Sequence, residues 1–136
     1  MHWTRFALAV LASGVAASFT DWFFMGFLFH GKYAEAPEIW RLQPGQTQTS
    51  VVAFSELIGL VACAAFIYLC HWTGALPNLR ADIHMAAVAW VLAPVPLILT
   101  NVLWIKFHPL VGLSHMLGWL ARFLVTGVIA YWLLPR

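Results

Sequence analysis

Arg122 lies near the middle of an apolar run that extends from Leu110 to Leu134. A run of that length is enough to cross a bilayer, whose hydrocarbon core takes about 20 helical residues. A permanently charged guanidinium at such depth is costly unless a partner meets it. The chain must therefore fold so that other segments carry polar groups to Arg122. Two acids qualify, Asp21 and Glu56, each inside an apolar run of its own.

Composition supports a membrane as the solvent. The 136 residues are 62% hydrophobic and 9% charged, whereas a soluble domain carries about 25% charged residues. Eight tryptophans and ten phenylalanines suit interfaces and packed helix seams. Seven Lys/Arg spread along the chain do not form the clustered basic face that a nucleic acid requires, so no nucleic-acid partner is expected. The length allows a single domain of several spans.

The hydropathy pattern divides that domain into four transmembrane helices, residues 5–29, 51–70, 84–105 and 110–134. The fold expected is an all-α membrane protein, an antiparallel four-helix bundle. Its first segment imitates a signal peptide, with Arg5, an apolar core and then small residues. However, the apolar run continues to Phe29, so a retained span is expected. Gly14, Ala17, Ser18 and Asp21 recur in it at helical spacing, a stripe suited to close helix approach. The only long loop is 30–49, where Pro37 can open a short interfacial helix carrying Ile39, Trp40 and Leu42. Residues 71–81 read as a polar connection. In the third span Pro94 and Pro96 free the carbonyls of Trp90 and Leu92 and predict a kink, either ordinary packing or the broken helix of a transport site.

Orientation is nearly balanced. Four spans place Arg5, Arg80 and Arg136 on the side of the termini and Lys32, Arg41 and Lys106 opposite. The Lys/Arg count ties, and cytoplasmic termini in a bacterial inner membrane are the working expectation.

Depth arithmetic brings the polar residues together. At about 1.5 Å per residue, Asp21 lies roughly 12 Å from the long-loop surface, and Glu56, Asn101 and His115 each roughly 8 Å. Arg122 lies roughly 18 Å in and reaches back along its own side chain. On the fourth helix His115, Trp119, Arg122 and Thr126 share one face, to which the first helix offers Ser18 and Asp21, and the second Ser55 and Glu56. A polar core opening toward the long loop follows, with Asp21, Glu56, Asn101, His115, Trp119 and Arg122 as candidate ligand or proton-site residues. Arg122 neutralises one acid; the other needs a proton, a protonated His115 or a bound cation.

Other chemistry finds less support. Asp21, Glu56 and His115 are metal-ligand types, but Arg122 would repel a metal ion, and none is assigned. His71 and His84 could hold a haem only by leaving the interface, so the cofactor stays unassigned. Cys63 and Cys70 lie seven residues apart on one helix face, roughly 10 Å from each other, too far for a disulfide; they read as packing residues. No nucleophile–base pair or phosphate loop is present, and enzymatic activity is not expected.

Trp22-Phe23, followed by Phe29, Gly31 and Lys32, and the later Asn101-Val102-Leu103-Trp104 resemble a family of small four-span bacterial membrane proteins catalogued as a domain of unknown function. In that family an aromatic pair precedes a Phe-Gly-Lys; here His30 interrupts the Phe-Gly step, and Asp21 stands where an apolar or small residue is usual. The resemblance implies the four-span fold and no activity. Three functions remain open: a membrane protein binding a small ionic or amphiphilic ligand for transport or sensing, an accessory or structural subunit of a homo-oligomer or larger complex in which the cluster is only a salt-bridge network, or a proton-coupled exporter. For the exporter, Asp21 sits too near its helix end.

Overall fold

The apolar runs form helices because a backbone in hydrocarbon must satisfy its hydrogen bonds internally. The computed structural model describes residues 2–35, 38, 49–76, 78–106 and 108–134. In chain order these form α1 (Trp3–Asp21), a π-helical segment (Trp22–Leu28), α2 (His30–Tyr33), α3 (Thr49–Trp72), α4 (Leu79–Leu92), α5 (Pro94–Trp104) and α6 (Pro109–Leu133). Four helical stretches, with α1 continued by the π segment and α4 by α5, are long and apolar enough to span a membrane. The chain is thus an all-α membrane protein. The interfacial helix expected from Pro37 falls, Glu38 apart, outside the described residues.

Three boundaries differ from expectation. The first span is not one regular helix: after Asp21 the turns widen, and Phe29 N–H donates to Phe24 O. This i→i+5 pattern brings Trp22 over Phe27, with ring centroids 6.3 Å apart and planes at 27°. The third span starts at Leu79 rather than His84, because Asn78 caps it. The Asn78 side chain accepts from the N–H groups of Arg80 and Ala81. The expected kink appears as a break, with Ala93 outside helical geometry between α4 and α5 and Pro94 in the first turn of α5.

The fourth span is the hub, packing against α1, α3, α4 and α5. Small residues allow this: Gly112, Ser114, Gly118, Gly127 and Ala130 of α6 are buried, as are Ser13, Gly14 and Ala17 of α1. A Cβ on Gly14 would strike Leu60 of α3, as the small-residue stripe predicts. Away from the polar core, Phe66 and Cys70 of α3 meet Ala86 of α4 and Phe123 of α6. The indole N–H of Trp90 ties α4 to α6 by donating to Met116 O at 2.7 Å.

Candidate functional site

Arg122 is buried, with 6% of its surface exposed. Its Nη2 donates to Asp21 Oδ2 across the α1–α6 contact. Its guanidinium also lies over the Trp119 ring, 5.5 Å from the centroid, while Nη1 approaches Cys63 Sγ at 4.0 Å. Two glycines make room. A Cβ on Gly59 of α3 would collide with the guanidinium, and one on Gly118 of α6 would stand 2.8 Å from Asp21 Oδ1. Asp21 ends α1 where the π turns begin; widened turns of this kind recur at functional sites.

The second acid has different company. Among the described residues Glu56 accepts a hydrogen bond only from the Ser18 hydroxyl. The same hydroxyl lies 2.9 Å from Gly14 O, so one hydrogen faces two acceptors. Asp21, Glu56, His115, Trp119 and Arg122 line one cavity of about 370 Å³, together with Met25, Ser55, Gly59 and the apolar Val51, Val52 and Ile58. Val51, Val52 and Ile58 are exposed and form its apolar rim.

A short polar chain closes the other flank. Tyr33 of α2 lies 2.5 Å from Ser114 Oγ and 3.3 Å from His115 Nε2, and Ser114 donates to Val111 O at 2.8 Å. Burial pushes the Tyr33 phenol above its ordinary value, although the Ser114 hydrogen bond pulls the other way. The phenol is therefore a neutral hydroxyl at neutral pH. His115 Nε2 thus faces Tyr33 rather than Glu56.

Five of the six candidates come together as depth and helical phase suggested: Asp21, Glu56, His115, Trp119 and Arg122. Asn101 does not. It sits half-buried on α5, which packs chiefly on α4 and α6, and it is not among the residues lining the cavity. Equal depth placed it at the right height but on the wrong side of the hub. Thr126, on the same face as Arg122, donates back to Arg122 O at 2.6 Å and lies 3.4 Å from Cys63 Sγ. Cys63 and Cys70 are both buried and free.

Two residues escaped the sequence reading. Tyr33 was visible only as an aromatic with a polar tip just beyond the first span. Asp82 was lost with the misplaced start of the third span, and Asn78 as a helix cap was the signal that would have recovered it. Asp82 is fully buried toward the opposite end of the bundle. Its Cβ lies where a Gly127 side chain would stand. The Cys70 thiol is its neighbour on α3, and its place in the first turn of α4 puts it at the end of the helix dipole that favours an acid.

Comparison with family models, curated proteins and solved structures gives no match for this chain. The site geometry alone therefore carries the functional argument.

Proposed function

We propose that the chain is a small bacterial inner-membrane protein, with cytoplasmic termini, that binds a small ionic or amphiphilic ligand in the cavity between α1, α3 and α6 for transport or sensing. In this reading Asp21 and Arg122 form an intramembrane salt bridge that holds the walls, and Glu56 faces the ligand. The carrying observation is that Glu56 lines a cavity with an apolar rim while holding, among the described residues, only a shared hydroxyl. Buried charges are normally paired, and an ionisable group inside a membrane is a functional site by default. A cavity of about 370 Å³ falls at the small end of ligand sites, which run from about 300 to 1,000 Å³. It equals the liquid volume of roughly a dozen waters at about 30 Å³ each.

A second reading, an accessory subunit in a homo-oligomer or larger complex, draws on the Arg122–Asp21 contact, which is complete without a ligand. Kinship with the four-span family of unknown function is compatible with either. Three probes of one shape separate the readings: 4-phenylbutylammonium, 4-phenylbutanol and 4-phenylbutyrate, titrated calorimetrically into the protein in phosphatidylglycerol nanodiscs. Ligand binding requires that at least one probe binds saturably and that Val52→Trp, which fills the cavity without removing a charged group, removes it. No saturable binding by any probe rejects the ligand reading in favour of the subunit.

A further inference from the structure

The charges lining the cavity do not balance. Asp21 engages Arg122, whose guanidinium is further backed by the Trp119 ring and Cys63. An anionic ligand would have to displace Asp21 from that contact. Among the described residues Glu56 has no such complement: His115 Nε2 is turned to Tyr33, and the one hydroxyl on Glu56 also faces Gly14 O. With both acids ionised, the cavity carries one carboxylate in excess of its cations. A single neutral donor does not offset a carboxylate in a low-dielectric site.

We infer that the ligand is an organic monocation with an apolar body, its ammonium centre at Glu56 and its apolar part against Met25, Val52 and Ile58. This rests on the cavity being a ligand site and adds the sign of the ligand's charge. Arg122 does not veto a cation here, because Asp21 already neutralises it. A metal ion fits less well: no group of three His, Cys, Asp or Glu able to hold one occurs among the described residues. An ammonium needs only one carboxylate and tolerates the apolar wall. Its ordinary source is either a free amphiphilic amine or a lipid headgroup, and both present the same charge to Glu56.

The same three probes test the inference on the intact protein. The expected result is that 4-phenylbutylammonium binds at least about tenfold more tightly than the alcohol or the carboxylate, and that Glu56→Gln removes this preference. Replacing phosphatidylglycerol with phosphatidylethanolamine then assigns the source. Probe binding weakened more in the wild type than in Glu56→Gln, which shares the loss of surface charge, identifies a headgroup ammonium as competitor, and equal weakening identifies a free amine; either accords with a cation site. Equal or tighter binding of the alcohol or the carboxylate overturns the inference while leaving the cavity a ligand site, as does a preference that survives in Glu56→Gln. Failure of all three probes overturns both.

Discussion

Asp21 and Glu56 are chemically near-equivalent acids, yet their neighbours give them opposite roles. Asp21 meets a guanidinium that also lies over the Trp119 ring, and Gly59 and Gly118 let the two side chains run close over the backbones of α3 and α6. Gly59→Ala and Gly118→Ala should each destabilise the protein by about 1–3 kcal/mol, the usual range for overpacking, measured by unfolding in mixed micelles. Wild-type stability in both would mean that the contact is looser than its geometry implies. The pairing was legible in the sequence only in part. Arg122 announced that an acid must come, and helical phase chose His115, Trp119 and Arg122 correctly. Which of the two acids came was not legible, and nothing in Trp22-Phe23-Phe24 distinguishes the widened turns after Asp21 from regular ones. Asn101 went astray because rise per residue reports height in a bundle but not azimuth.

At the scale of the elements, tethers outside the membrane hold the flank of the site. The short α2 carries Tyr33 to Ser114 and His115, and its Lys32 holds Glu35 by a 2.5 Å ion pair. His108, the cap of α6, lies 3.8 Å from the other oxygen of Glu35. The Lys32 hydrogen bond holds the Glu35 carboxyl below its ordinary value. A lowered folded pKa contributes stability that is present above the unfolded pKa, about 4.3 for Glu, and is lost as pH falls through the lower folded value. Acidification through that window should therefore loosen α2, seen as a fall in the protection factor of the Tyr33 amide, and Glu35→Gln should abolish the pH dependence of that factor. A variant with the wild-type profile would contradict it. Helix boundaries were legible where caps or prolines act locally, as at Asn78 and Pro94, and hidden after Asp21, where no cap or proline marks the change to i→i+5 bonding.

For the whole molecule, the organising fact is that α6 packs on every other spanning helix, so its polar face determines what can enter. Between transmembrane helices lipid supplies no hydrophobic drive for association. Close small-residue contacts and a few polar bonds must hold the bundle, and the Arg122–Asp21 contact joins its first and last spans. The account assigns holding to Asp21 and binding to Glu56. A double-mutant cycle on unfolding free energy tests that division most directly. Arg122→Leu combined with Asp21→Asn should show a coupling of about 1 kcal/mol or more, within the upper range for polar pairs in membranes. Arg122→Leu combined with Glu56→Gln should show clearly less. Coupling that is absent from the Asp21 cycle, or larger in the Glu56 cycle, would contradict the account.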